Sequence, residues 1–422
     1  MHSEKRPPQL DASNPQNSLF VSSDSSDSEN ICHDDEDTFP EGGLEAWSVV
    51  FGSFCAMLSV FGIINSAAVF ESYFTQHQLK GYDPSTIGWI FSVYLFIVFF
   101  AGMQAGPIFD RHGPRALVAA GSILTVASQM LLGLCTSYYQ IMLTYAVLAG
   151  IGGALLNVPA YGAIAHFFKA RRGFATGIAA TAGSVGGIAF PLLMQGLLPK
   201  VGFAWTTRII GFILLGLSIP ANVLIHTRLP PSDKLRRHLV HGVGHLHPLT
   251  FIVSYAADYG HEANSSYTLL ALLNVGSFFG RFVPGFFADR IGRFNVIVMT
   301  IALCVVTILA FWLPARDSWP LLIVFVLTFG FASGSNLGLY PVCLGQLCDS
   351  RSYGRFFSTA LMVASFGTLT SLPIGGALRD LGSTETGWKA VIIFSALSYA
   401  IAMSCYFGAR VLAVGWGLKK VF

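Results

Sequence analysis

Arg281 is the residue in this chain with the clearest chemistry to offer. It lies within NVGSFFGRFVPGFFADRIGR, Asn274–Arg293, a stretch apolar enough to sit in a membrane. An Arg in such a setting costs several kcal/mol unless it faces a cavity or a partner. Its planar fork matches a carboxylate bidentately. Two uses therefore stand side by side: contact with an anion, or pairing with a helix carbonyl. Arg281 sits seven residues before Ala288, roughly 10 Å from the end of the apolar run at 1.5 Å per residue.

The same stretch closes on Asp289, Arg290, Gly292 and Arg293, a tight basic turn. A second copy, GPIFDRHGPR, runs from Gly106 to Arg115 and carries Asp110, Arg111 and Arg115. Asp110 and Asp289 are 179 positions apart. An Asp at a helix end can bond the N-terminus of a neighbouring helix. Flanked by Arg, the two turns read as a pair of two-state latches. Seven further polar residues stand inside apolar runs: Asn65, Tyr94, Asn157, Tyr161, Asn274, Asn336 and Tyr340. Each can line a cavity or bond between helices. The run of Gly177, Gly183, Gly186 and Gly187 reads as a close helix contact.

The elements that must hold these residues are membrane spans. The chain has 422 residues, 53% of them hydrophobic, and only 11% are charged. Soluble domains carry about twice that charge. A span needs roughly 20 apolar residues. Runs of that kind are expected near 46–74, 87–109, 117–135, 141–168, 174–198 and 206–226, then 267–288, 296–313, 320–345, 356–378 and 390–414.

Lys and Arg cluster in alternate loops, which marks those loops as cytosolic. This alternation requires one more crossing between the polar segment after Arg228 and Ser266. The candidate is 239–259, a weak seventh span with His241, His245, His247 and Pro248. The expected fold is therefore an all-α membrane protein of two six-helix bundles, twelve spans with the seventh weak or truncated. Its parts are an acidic disordered tail 1–45, a bundle 46–226, a cytosolic segment 227–248, a second bundle 249–414 and a tail 415–422. Both termini are expected in the cytosol, and the plasma membrane is the expected location. The tail sets eleven acids against Lys5 and Arg6 and cannot bury enough apolar surface to fold. Asn264 begins an N-S-S glycosylation sequon that this topology places outside.

Other chemistries are poorly represented. The seven cysteines are scattered, with no metal or disulfide spacing. No Walker loop, HExxH, paired CxxC or GxSxG occurs, so no ATP-driven or enzymatic step, no metal and no cofactor is expected. The aromatic residues lie in spans rather than a basic groove, so nucleic acid is not an expected partner.

Parallel repeats of six spans with a substrate site between them are the pattern of the major facilitator superfamily. Gly106, Asp110, Arg111, Gly113 and Arg115 resemble its signature loop, and Gly285, Asp289, Arg290, Gly292 and Arg293 repeat it. A narrower resemblance is to the monocarboxylate porter family. PEGGLEAW, Pro40–Trp47, is similar to that family's opening motif. HFFKARRGFATGIAATAGSVGG, His166–Gly187, is similar to its second signature, and GRFVPGFFADRIGR to a helix of its fungal members.

The resemblance implies a transporter of a small organic anion, with Arg281 as the substrate contact. It departs in two places. Ser277 stands where an acid precedes that Arg, and Asn65 stands where the family has a Lys. The usual proton relay is thereby absent, and proton coupling is not expected through it. Facilitated transport, and coupling through Glu71 or a histidine, stay open. So do two other readings: efflux of a fungal secondary metabolite, and a non-transporting receptor.

Overall fold

The computed structural model describes residues 39–229, 255, 263–316, 318–379 and 381–415. Among them every regular element is helical. The first four spans are α1 (Gly43–Gln76), α2 (Ser85–His112), α3 (Arg115–Leu132) and α4 (Tyr138–Phe167). The run Arg172–Leu224 is 53 residues long, about 80 Å at 1.5 Å per residue. That is more than twice the ~30 Å of a bilayer core. Gly202 breaks it with φ 74, giving two crossings, α5 (172–201) and α6 (203–224). The second half holds α7 (Ala263–Ile291), α8 (Arg293–Ala315), α9 (Trp319–Leu347), α10 (Ser350–Arg379) and α11 (Thr384–Val414).

These helices coincide with the eleven strong apolar runs. The seventh-span candidate, its three histidines, most of the segment 227–248, most of the acidic tail and most of 415–422 lie outside the described residues. Tyr255 is the described exception. It is buried, its ring is 5.0 Å from Trp388 and 5.8 Å from Trp312, and its hydroxyl donates to the Arg316 carbonyl at 3.2 Å. Asn264 stands in the first turn of α7.

Two buried apolar clusters form, one built mainly on α1–α6 and one on α7–α11 with Tyr255. Large apolar side chains such as Phe51, Ile123, Val223 and Ile401 point outward and are exposed, as a lipid-facing surface requires. The halves meet along two seams: α5 against α7, and α2 against α10.

Several of the described helices are interrupted along their length, α1 and α4 among them. The first part of α1 ends at Asn65, with Ser66 between it and the segment Ala67–Gln76. In α4 a π-helical turn spans Met142–Leu148. Such interruptions free backbone groups from the regular ladder and are often found at functional positions.

The chain enters α1 through a clamp. The Glu41 carboxylate accepts the backbone N–H groups of Lys169, Ala170 and Arg171 at 2.7, 2.6 and 2.9 Å. Trp47 packs against Phe168 and Phe174, with centroids at 5.4 and 6.0 Å. PEGGLEAW and HFFKARRGF are thus two halves of one contact, joining the start of α1 to the start of α5.

Candidate functional site

A cavity of about 140 Å³ lies between the halves, lined by α1, α2, α7 and α9. A single water needs roughly 10–15 Å³ on this measure, so the space suits a small organic molecule. Its polar lining is Asn65, Tyr94, Asn274, Ser277, Arg281 and Ser333. The rest is apolar, including Phe61, Phe91 and Phe99. Among the described residues that line it there is no carboxylate.

Arg281 is 5% exposed. It lies ten residues before Ile291, roughly 15 Å from that helix end and deeper than the count to Ala288 suggests. Its Nη1 donates to the Ala180 carbonyl of α5, while Nε has no hydrogen-bond partner. Among the described residues no carboxylate forms an ion pair with it. A buried guanidinium with no counter-charge is an expensive arrangement. Arg281 thus pairs with a helix carbonyl and also lines the cavity.

Helix α5 receives three side chains along one face. Arg281 reaches Ala180 O, Asn65 Nδ2 donates to Gly183 O at 2.8 Å, and Asn274 Nδ2 donates to Gly187 O at 3.4 Å. The last contact has a local cause. In a helix the Gly187 carbonyl would bond the N–H of residue 191, which is Pro and has none. A Cβ at Gly183 would meet the Arg281 guanidinium and force it to shift. The glycine run is therefore a groove shaped for side chains as well as a close helix contact.

Of Arg281 and the seven other polar candidates, Arg281, Asn65, Tyr94 and Asn274 line the cavity. Asn336 does not: it accepts the Thr300 hydroxyl at 2.9 Å and donates to Cys304 Sγ at 3.6 Å, between helices. Asn157 and Tyr161 are buried elsewhere in the interior, and Tyr161 packs on Phe357 at 5.1 Å. Tyr340 stacks near the same Phe357 at 6.0 Å. None of the four belongs to the cavity lining.

The far end of both seams is held by the two repeated aspartates. Asp110 of α2 accepts the N–H groups of Gly354 and Arg355, both at 2.9 Å, at the start of α10. Asp289 of α7 accepts those of Gly173 and Phe174 at 2.9 and 2.8 Å, at the start of α5. Each carboxylate meets the free N–H groups and positive dipole end of a helix in the opposite half.

The Arg partners differ from the sequence expectation. Asp110 pairs with Arg355 at 3.5 Å, while Arg111 and Arg115 are exposed. Asp289 pairs with Arg293 at 3.3 Å, and Arg293 also donates to the Lys169 and Ala170 carbonyls. Arg290 is exposed and covers the Phe286 ring at 4.1 Å. Geometry separates them, since only residues on the seam side of the helix reach the other half.

One contact was not foreseen. Arg172 is 3% exposed and donates to the carbonyls of Ala165, Phe168 and Gly345 and to the Ser350 hydroxyl, at 2.7–3.0 Å. Gly345 and Ser350 belong to the other half, so Arg172 is a third tie at this end.

Comparison with known proteins gives the family. The model of the Major Facilitator Superfamily matches residues 49–246 and 238–414. The chain is 38% identical over 401 residues to an MFS-type transporter, opdF, of Penicillium oxalicum, covering 90% of this chain and 94% of that one. It is 33% identical over 422 residues to the aspyridones efflux protein apdF of Emericella nidulans, covering 94% and 85%. The fold is similar to that of a bacterial homologue of the iron transporter ferroportin, with a TM-score of 0.64 at 13% identity, over 87% of this chain and all of the other. The helices, the two-half seam and these matches agree: the chain is an integral multi-pass membrane transporter and belongs to the Major Facilitator Superfamily.

Proposed function

We propose that this chain carries a small organic anion across its membrane by alternating access, with Arg281 holding the acid group. The carrying observation is that Arg281 is buried on the wall of the central cavity with, among the described residues, no carboxylate lining that cavity. A bound anion would supply the counter-charge that no described residue supplies there. Asn65 lines the same cavity and keeps one amide N–H for a further oxygen, whereas both N–H groups of Asn274 go to the Leu270 and Gly187 carbonyls.

The cavity lies among residues 61–68, 91–99 and 270–281 of α1, α2 and α7, away from the end tied by Asp110, Asp289 and Arg172. Release of those ties would open the tied end to the cavity. With the basic loops inside, the tied end is the cytosolic one, both termini are cytosolic, and Asn264 is external. The fitted pair of motifs around Glu41 and Trp47 supports placement near the monocarboxylate porters, and the plasma membrane is the proposed site of action. Asn157, Tyr161, Asn336 and Tyr340 are assigned to helix packing in this state.

The experiment is flux into proteoliposomes of labelled carboxylic acids against their neutral amides, with wild type and Arg281→Ala. The expected result is acid flux in wild type alone. Equal flux of acid and amide, or equal flux in both proteins, would overturn the reading. A second reading, export of a fungal secondary metabolite, is favoured by the similarity to the aspyridones efflux protein. It predicts that deleting the gene traps an acidic product inside the cell.

A further inference from the structure

The aromatic rings and the guanidinium that line the cavity come from different halves of the protein, although Asn65 adds a polar group to the first half and Leu270, Leu273 and Leu337 add apolar groups to the second. Phe61 of α1 and Phe91, Tyr94 and Phe99 of α2 form an aromatic wall on the N-terminal half. Ser277 and Arg281 of α7 form the polar side on the C-terminal half. A ligand that touches both must place an acid on one and an apolar body on the other. The space between is about 140 Å³, near the ~150 Å³ of an apolar cavity able to take up benzene. Aromatic walls favour flat faces and edges that can stack or meet edge-on. A two- or three-carbon acid held by Arg281 would leave that wall facing empty space.

Resting on the anion reading of Arg281, we infer that the substrate is a ring acid: one anionic group on an aromatic or similarly flat apolar body of at least benzene size. Such a molecule bridges the seam, so its binding bears on both halves at once, as a carrier that rocks around its substrate requires. A short hydroxy or keto acid would reach Arg281 and Asn65 but leave the aromatic rings uncovered.

The test uses the full-length protein in detergent, titrated with four probes: lactate, benzoate, 1-naphthoate and benzamide. Affinity is read from ligand-induced thermal stabilisation. Benzoate and 1-naphthoate are expected to bind at least tenfold tighter than lactate, and benzamide at least tenfold weaker than benzoate. Ala68→Trp, which fills the cavity beside the aromatic wall, is expected to weaken both ring acids at least tenfold. Phe61→Leu carries the same direction of change should the Trp variant fail to fold. Lactate binding as tightly as benzoate, with both lost in Arg281→Met, overturns the ring inference and leaves the anion reading intact. Benzamide matching benzoate, with no dependence on Arg281, overturns the anion reading and this inference with it. Binding by none of the four overturns the ring inference.

Discussion

Asp289 accepts the backbone N–H of Gly173 at 2.9 Å across the seam between the two halves. Its second oxygen takes the N–H of Phe174 at 2.8 Å, and Asp110 makes the same pair of bonds with Gly354 and Arg355. Asn at either position keeps one acceptor and turns an amide N–H toward a backbone N–H. Charge-assisted bonds of this kind are worth roughly 1.5–3 kcal/mol. Asp289→Asn and Asp110→Asn are each expected to shift the tied state toward opening by on the order of 2 kcal/mol, or about 30-fold. Distances between spin labels at the exposed positions 111 and 290 would report it. Unchanged distance distributions in both variants would remove the aspartates from the gate.

Gly173 tests the same seam without removing a charge. A Cβ at Gly173 would lie 2.7 Å from the Gly285 carbonyl and 2.8 Å from the Asp289 carboxylate. At Gly354 it would lie 2.5 Å from Asp110 Oδ1 and 2.8 Å from the Gly106 carbonyl. Backbone cannot retreat as a flexible side chain can. Gly173→Ala and Gly354→Ala should therefore separate the halves at this end and lower transport at least tenfold, while the separate cores of the halves keep expression near wild type. Full transport in both alanine variants would mean that the seam has slack the geometry does not reveal.

The clamp at Glu41 is expected to matter for stability. Glu41 holds φ 52, a region that non-glycine residues seldom adopt, and its carboxylate spans three N–H groups. Glu41→Gly relieves the backbone but removes the acceptors. Because Glu41 is only half-buried, the loss should be about 1 kcal/mol, seen as a fall of a few degrees in Tm. A rise in Tm for Glu41→Gly would assign the residue to strain rather than to clamping.

The spans and the repeated Asp–Arg turns were legible because a bilayer demands long apolar runs and duplication repeats its functional turns. The partners of the turns were only half legible. Gly173 and Gly354 repeat at nearly the spacing of Asp110 and Asp289, a signal available in the sequence. Arg172 was not legible. It stands beside Arg171, which is exposed, and nothing local tells the two apart. Only the helix-end carbonyls and Ser350 brought to it by tertiary packing decide its role. Asn336 was misleading for a related reason: its partner Thr300 lies on a separate helix, and single-chain periodicity carries no such pairing.

Cys348 offers a reporter of opening. It follows α9, between Leu347 and Ser350, and its thiol donates to the Leu344 carbonyl at 3.3 Å. Burial pushes the thiol up to about 12, so at pH 7.5 almost none is thiolate, the reactive form. A hydrated Cys near 8.5 would be about a tenth thiolate at that pH. Alkylation of Cys348 by maleimide, followed by peptide mass spectrometry, should be slow in wild type and up to about 30-fold faster in Asp110→Asn. Its rate should rise as pH rises. Equal rates in the two proteins would show that this end does not open when the tie is cut.

Arg281 sets stability against function. A buried charge without a partner destabilises a folded protein by several kcal/mol, and replacing it with an apolar residue of similar length removes that cost. Arg281→Met gives up the bond to Ala180 O but relieves an unpartnered Nε and an uncompensated charge. The expected outcome is a higher Tm together with loss of anion transport, the combination that marks a residue kept for its task rather than for the fold. Arg281→Lys should keep the charge, lose the planar two-point grip, and weaken acid binding at least tenfold with little change in Tm. A marked fall in Tm for Arg281→Met would reverse the assignment. It would mean that the guanidinium serves mainly to tie α7 to the Ala180 carbonyl, and that the anion contact lies elsewhere in the cavity.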